Sequence, residues 1–302
     1  MTTHQPGICF VFNPSANGGK AEKMREEIRD KTKRLWPHRT WMETEPDPQF
    51  WVHLAEQAKN FDLMVACGGD GTVHKTGSIA ADTGTTLGVI PLGSGNDFAM
   101  MNNIPESPAD ALNLIAANHL TKIDLIRCSG DVNGWCLNTA GIGLDGLANV
   151  YTNEFKKTVG RLGYVLGALK AIFKTSACEV VIRADNNEPE KKLLMMITAC
   201  AGKREGGAFI VAPDADNRDG KLDLLTVSKM NKLKLLIALP QFLFRFPENM
   251  KEIRHEQFQK VELHTAIPLH IHIDGELAGT KISDLKFEVH KHALQIISGP
   301  IV

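Results

Sequence analysis

Two glycine loops, each following a short apolar run, limit what this chain can fold into. The first is Cys67-Gly68-Gly69-Asp70-Gly71-Thr72 after Leu63-Met64-Val65-Ala66, and the second is Pro91-Leu92-Gly93-Ser94-Gly95-Asn96-Asp97-Phe98-Ala99 after Leu87-Gly88-Val89-Ile90. A short apolar run that ends in glycine reads as a buried strand, and a spacing of about twenty residues is one strand-loop-helix unit. Both loops should therefore emerge at the carboxyl edge of one parallel sheet. Glycine removes side chains where the backbone must bend and a ligand must come close. Successive N–H groups in such a turn form an anion nest, and a helix starting near Val73 aims its positive end at the same spot. Phosphate is the ligand this suits. Asp70 would repel bare phosphate unless Mg²⁺ or a donor lies between, so a nucleotide-metal complex fits better. A single loop of this kind is also simply a tight turn; the repeated design carries the argument.

The rest of the chain arranges itself around these loops. Ile8-Cys9-Phe10-Val11-Phe12 reads as the first buried strand, and Asn13-Pro14-Ser15-Ala16-Asn17-Gly18-Gly19-Lys20 is a third phosphate-loop candidate, offering the Asn13 amide and the Lys20 cation. It lacks the Gly-Lys-[Ser/Thr] ending of a Walker A loop. The charged helix that follows, 21–34, reads as a solvated face. A strand around Arg39–Met42 ends near Thr44, Asp47-Pro48 caps a helix through about Lys59, and Ser107-Pro108 starts another that runs to about Asn118. Lys122–Ile126 is the strand leaving this first domain. From about Arg127 strand-like runs dominate: Trp135–Thr139, Glu179–Ala184, Leu193–Ala201, Leu222–Val227, Val261–His264 and Leu269–Asp274. Strand after strand with few helices implies an antiparallel β-sandwich. The expected fold is thus α/β plus β: an N-terminal doubly wound parallel α/β nucleotide-binding domain over 1–126 and a C-terminal antiparallel β-sandwich domain over 127–284.

At 302 residues, two domains are the better prior. A net charge of −1 gives no electrostatic argument for nucleic acid. The six cysteines are scattered without a Cys-x-x-Cys pair, as reduced core thiols of a cytosolic protein would be. The first residues have neither a basic start nor an apolar segment of signal length, and no apolar run reaches the ~18 residues of a membrane span. Two helical insertions interrupt the β region, at 160–174 and 231–246. The second sets Lys232, Lys234 and Arg245 beside Leu235, Leu236, Leu239, Phe242, Leu243, Phe244 and Phe246. It reads either as a core helix or as an interfacial surface.

Asp274-Gly275-Glu276 closes the strand His270-Ile271-His272-Ile273. A two-residue period puts His270, His272 and Asp274 on one face, and Glu276 too if the strand persists. Two histidines spaced this way could pair on a metal, but no third ligand is evident, and a solvated strand face is the plainer account. A run of oxygen ligands, Asp214-Ala215-Asp216-Asn217-Arg218-Asp219-Gly220-Lys221-Leu222-Asp223, suits a hard divalent cation. It is not an EF-hand loop, because Leu225 stands where the twelfth-position glutamate is needed.

Gly-Gly-Asp-Gly-Thr followed by Pro-Leu-Gly-Ser-Gly-Asn-Asp-Phe-Ala resembles the catalytic domain of diacylglycerol kinases and their soluble bacterial lipid-kinase relatives. Their superfamily includes sphingosine and NAD kinases. The later motifs agree in order and spacing, so the resemblance covers nearly the whole chain. It implies an ATP site formed by Asn13, Thr44, Gly68, Gly69, Asp70, Gly71, Thr72, Gly93, Ser94, Asn96 and Asp97. It implies Glu276 as proton acceptor with Asp274 alongside and Asp70 in catalysis. It also implies a structural Mg²⁺ on the Asp219 carboxylate with main-chain oxygens of Asp216 and Lys221, and a return of 285–302 to complete the first domain. One departure is His74-Lys75, where many relatives carry Asn-Glu. The expected function is an ATP-dependent lipid kinase that phosphorylates the hydroxyl of a diacylglycerol-like lipid. Such an enzyme would be cytoplasmic, meet its substrate at the inner membrane face through 231–246, and bind no nucleic acid; a homodimer is left open. The alternatives are a kinase of a soluble acceptor such as NAD and a catalytically weak nucleotide- or lipid-binding regulator.

Overall fold

The computed structural model describes residues 7–159 and 162–300. It divides into two units, one running to Ile123 and resuming at His292, the other Asp124–Lys291. In chain order the first contains β1 (Ile8–Phe12), α1 (Ala16–Gly19), α2 (Arg25–Leu35), β2 (Thr40–Glu43), α3 (Gln49–Gln57), β3 (Leu63–Gly68), α4 (Asp70–Thr83), β4 (Thr86–Pro91), α5 (Asp97–Met101) and α6 (Pro108–Ala117). β5 (Leu120–Gly130) leads out of it.

β1 pairs in parallel with β2 on one side and β3 on the other, and β3 pairs in parallel with β4. Every residue of β1 and β3 is buried, as expected of strands covered on both faces. Phe10, Phe12, Val65 and Ile90 face a core completed by Ile28 of α2 and by Leu112 and Ile115 of α6, while α4 packs on β3 and β4. Parallel strands leave their loops at one edge, so the chain segments after β1, β2, β3 and β4 all come together there. α4 begins at Asp70, three residues before the helix start read from the sequence, because Gly69 in extended conformation already serves as its N-cap.

The second unit continues with β6 (Gly134–Cys136), β7 (Thr139–Gly143), α7 (Leu144–Val159), α8 (Leu162–Lys174), β8 (Cys178–Ala184), β9 (Glu190–Cys200), β10 (Arg204–Glu205), β11 (Phe209–Ile210), β12 (Leu222–Ser228), α9 (Lys232–Phe244), β13 (Ile253–Phe258), β14 (Lys260–Ile273) and β15 (Glu276–Ile297). Its pairings are antiparallel, in the order β13-β12-β9-β7-β14-β15, with β8 joined to both β9 and β14. β9 and β14 are long enough to pair with β8 over one half and β7 over the other. That closes the strands round one core of Ile142, Val180, Ile182, Leu194, Ile197, Val261, Leu263, Ile271 and Phe287. A second core lies on the helical side, where Met195, Cys200, Leu225 and Val227 meet Ile172 of α8 and Leu235 and Ala238 of α9.

Several sequence expectations change here. Trp135–Thr139 is two strands rather than one. Val261–His264 and Leu269–Asp274 belong to one strand, whose register with β15 slips between His264 and Leu269, around Pro268, which has no N–H to give the ladder. Leu285–Val289 and Ala293–Ile297 are likewise one strand of 22 residues. α7 had no counterpart in the sequence reading. The start of the expected helix at Gly160 and Arg161 lies outside the described residues, and its continuation from Leu162 is α8.

Candidate active site

The four loops of the first unit are tied to one another through backbone groups. The Asn13 N–H donates to the Cys67 carbonyl at 2.9 Å, Thr44 N–H to the Phe12 carbonyl at 2.8 Å, and Leu92 N–H to the Gly68 carbonyl at 2.8 Å. Asn13 Nδ2 donates to Thr72 Oγ1 at 2.9 Å, which joins the β1 loop to the first turn of α4. The two glycine loops also touch. A Cβ on Gly93 would stand 2.5 Å from Gly69 Cα and 2.6 Å from Asn96 Oδ1, and one on Gly69 would stand 3.0 Å from Gly93 Cα. Real Cβ atoms do not tolerate the shorter of these approaches, so glycine at position 93 permits the clasp.

Asp70 spans the junction. Its Oδ2 accepts the Asn96 N–H at 2.9 Å, and Asn96 Oδ1 accepts the Gly93 N–H at 2.9 Å. Asn96 holds a left-handed φ of 57°, a conformation that asparagine adopts more readily than most residues. Asp70 occupies the first position of α4, where a carboxylate complements the helix dipole. Gly69, Asp70, Gly71, Gly93, Ser94 and Asn96 are partly exposed, whereas Thr72 and Asp97 are buried. The structure thus gathers Asn13, Thr44, the residues 68–72, Gly93, Ser94, Asn96 and Asp97 at one sheet edge.

Asp274 and Gly275 are the two central residues of a tight turn, with φ of 50° and 81°, and Ile273 pairs with Glu276 across it. Positive φ at both positions is the hairpin geometry for which Asp-Gly is favoured. The strand does not persist through Gly275, so the one-face reading of His270, His272, Asp274 and Glu276 fails at the turn. The account of a solvated strand face fails as well: residues 271–274 are all buried, and His272 is 0% exposed. The Asp274 carboxylate accepts the N–H groups of Leu137 at 2.8 Å, Asn138 at 2.7 Å and Thr139 at 3.0 Å, and Cys136 Sγ lies 3.5 Å away. Glu276 is exposed.

His272 joins two residues that sequence reasoning missed. Its Nε2 lies 3.1 Å from Glu205 Oε1 and 3.3 Å from Asp145 Oδ2, and the Thr198 hydroxyl donates to that same Asp145 oxygen at 2.5 Å. Burial raises the Glu205 pKa, and the Asp145 charge adds to this. For His272 burial acts to lower the pKa, but Glu205 and Asp145 outweigh it and push the group well above its usual range. No local signal could have found this trio, since its members come from α7, β10 and β14.

In the acidic loop Asp219 Oδ1 accepts the Lys221 N–H at 2.9 Å, the Asp216 carbonyl accepts the Asp219 N–H at 3.4 Å, and the Asp216 carboxylate pairs with Arg218 at 3.0 Å. The Asp219 carboxylate is exposed on this turn, whose donors to a cation would be its oxygens and main-chain carbonyls. An all-oxygen donor set of this kind fits a hard cation such as Mg²⁺.

α9 is neither wholly core nor wholly surface. Leu235 and Ala238 are buried, and Phe242 packs edge-on against buried Phe246 with centroids 5.8 Å apart. Leu233, Ile237 and Phe244, spaced along one face, are 67%, 53% and 83% exposed. Two cations assigned to a surface role are already engaged with other groups, Lys234 with its side chain still 44% exposed. Lys232 Nζ donates to the Ile172 and Thr175 carbonyls at the end of α8, and Lys234 pairs with Glu252 at 2.6 Å. Among the described residues no helix is long and apolar enough to cross a membrane.

Comparison with known proteins finds two family matches that meet near the end of β5. Residues 7–128 match the diacylglycerol kinase catalytic domain, and residues 138–298 match the YegS C-terminal NAD kinase beta sandwich-like domain. A diacylglycerol kinase of Bacillus subtilis is 30% identical over 235 residues, which is 76% of each chain. A Xanthomonas oryzae protein named "Probable lipid kinase YegS-like" is 31% identical over 182 residues, 58% of this chain and 59% of that one. The crystal structure of a diacylglycerol kinase from Bacillus anthracis shares the fold with a TM-score of 0.75 at 20% identity, covering 99% of both chains. An NAD kinase from Archaeoglobus fulgidus, solved with ATP, aligns with a TM-score of 0.53 at 14% identity over 96% of this chain and 93% of that one. With a mixed α/β unit, a β-sandwich-like unit and both family matches in sequence order, the chain belongs to the diacylglycerol kinase catalytic-domain family of the diacylglycerol kinase and NAD kinase superfamily.

Proposed function

We propose that the protein is an ATP-dependent lipid kinase that transfers the γ-phosphoryl group to the hydroxyl of a diacylglycerol-like lipid. The observation that carries the reading is the clasp of the two glycine loops, with Asp70 bonded across it to Asn96, within a family whose members are named as kinases. Phosphoryl transfer needs a cradle for the phosphates, positive charge to offset theirs, and a base for the acceptor hydroxyl. The loops with Asn13, Thr44 and Thr72 would form the cradle, and Asp70 would bind a nucleotide-borne Mg²⁺. That cation, when bound, would neutralise charge on the phosphates. A structural Mg²⁺ would sit on Asp219 with the main-chain oxygens of Asp216 and Lys221.

Glu276 is the better base. The Asp274 carboxylate is occupied by three backbone donors that fix the turn, whereas Glu276 is exposed beside it. A lipid acceptor also needs a way to be met at its membrane. The exposed Leu233, Ile237 and Phe244 stripe of α9 offers one, with exposed Arg245 beside it. Such a protein would work in the cytoplasm at the inner face of the membrane. The direct experiment measures ATP turnover by the purified chain with mixed micelles of diacylglycerol, with detergent alone and with NAD. Turnover that requires the lipid supports the reading; turnover with NAD and none with lipid overturns it.

A further inference from the structure

The Asp274-Gly275 turn is held from a direction the sequence does not reveal. α7 presents Asp145 and Asn149 one helical turn apart, hence on one face. Asn149 Nδ2 donates to the Gly275 carbonyl at 2.6 Å. The other side of the turn meets His272, whose Nδ1 accepts the Gly275 N–H at 3.4 Å. Gly275 is thus gripped on both its N–H and its carbonyl.

The grip on the N–H depends on which ring nitrogen of His272 carries the proton. An Nδ1 that accepts from Gly275 must be bare, so the ring proton is on Nε2. Two carboxylate oxygens, Glu205 Oε1 and Asp145 Oδ2, lie 3.1 and 3.3 Å from that nitrogen and favour a proton there. Thr198 in turn fixes Asp145. The upward shift of Glu205, from its burial and the Asp145 charge, agrees that a proton is retained on the carboxylate side of the trio, while the Gly275 amide keeps Nδ1 bare. The three ligand atoms lie within 4.8 Å of one another, which would also admit a cation. A metal would need bare Nε2 and would leave a protonated Nδ1 facing the Gly275 N–H; metal-binding histidines instead aim that proton at an acceptor.

We infer that Asn149, and His272 held in one tautomer by Asp145 and Glu205, are positioning residues that set the Gly275 turn and so place the Glu276 carboxylate to accept the acceptor's proton. The inference rests on the proposed role of Glu276. Asn149→Asp keeps the shape and removes the donor, so kcat should fall about tenfold with the KM for ATP unchanged, and Asn149→Gln, which restores an amide donor, should recover part of it. His272→Gln keeps an N–H toward the carboxylates and removes the Nδ1 acceptor, and should show the same split. In both Asn149→Asp and His272→Gln, amide hydrogen exchange across 270–280 should quicken, and in Asn149→Asp the melting temperature should stay within a few degrees. Because the buried His272 variant risks failing to fold, the partly exposed Asn149 pair decides by itself in that case. Unchanged kcat and unchanged exchange in Asn149→Asp overturn the inference, as does stoichiometric zinc or manganese in the purified protein that Asp145→Asn removes. Measured beside them, Glu276→Gln separates the two ideas: if it lowers kcat while Asn149→Asp does not, only the inference fails, and if it keeps full kcat, the reading of Glu276 fails and takes the inference with it.

Discussion

The glycine loops of the first unit and the Asp-Gly-Glu hairpin of the second are both turns that present carboxylates, yet they are built in opposite ways. The loops owe their shape to backbone: parallel strands end together, carbonyl and N–H groups bond loop to loop, and Gly69 and Gly93 touch because neither has a Cβ. The hairpin owes its place to side chains that are remote in sequence. Asp274 reaches backbone 135 to 137 residues away, and Gly275 is held by Asn149, 126 residues away. A backbone-built site should tolerate substitution of its carboxylate without unfolding, whereas a site held by a buried polar network should lose stability and position together.

Asp70→Ala gives the sharpest break. It should reduce phosphoryl transfer by about 10³-fold or more while the melting temperature moves by only a few degrees, since the loop is partly exposed and the other loop bonds remain. Near-normal turnover by the folded variant would remove Asp70 from the mechanism. In the hairpin the two acidic residues should behave differently from each other. Glu276→Gln should lower kcat by ~10²-fold with little change in stability or in the KM for ATP. Asp274→Asn should cost on the order of 3 kcal/mol in stability, because an amide cannot satisfy the same three buried N–H groups. A stable Asp274→Asn with kcat as low as that of Glu276→Gln would make Asp274 the base.

Smaller effects test the periphery. Replacing Leu233 and Phe244 together with serine should weaken binding to anionic vesicles by about tenfold and leave ATP affinity alone, because both lie on the exposed stripe of α9. Equal binding by both proteins would leave the stripe without a membrane role. Phe242 is the wrong choice for this experiment, since it packs against Phe246 in the core. The mildest prediction concerns pH. His272 and Glu205 both have folded pKa values raised above their unfolded ones, so the contribution of Glu205 is complete below about 4.5 and that of His272 below about 6.5, and each is lost as pH rises through the folded value. Melting temperature should therefore decline as pH rises past about 6.5, and Glu205→Gln should flatten that decline. A wild-type profile flat above that pH would show that the trio binds no extra proton.

What could be read from residues alone was what local chemistry dictates. A buried parallel strand must be apolar throughout, a glycine loop must follow it where phosphate or backbone comes close, and Asp-Gly between apolar residues must turn. The five residues of β1, the first four of β3 (Leu63–Ala66) and the two glycine motifs were therefore legible, though Cys67 and Gly68, read as loop, still belong to the strand, and the paired motif identified the family. Tertiary structure decided the rest. The sequence shows His272 only as one of two histidines at strand spacing; burial against Glu205 and Asp145 makes it part of a charged trio, and no periodicity links positions 145, 205 and 272. α9 carries cations that look free along the chain, but Lys232 is held by carbonyls at the end of α8 and Lys234 pairs with Glu252 at the surface. Asp274 and Glu276, two positions apart, look interchangeable in the sequence. They differ because Asp274 sits at the first left-handed position of the turn, over the N–H groups of 137–139, and Glu276 begins the outgoing strand in solvent. Contacts of this length arise only when distant elements pack, and a sequence pattern, being local, cannot encode which partner each polar group will find.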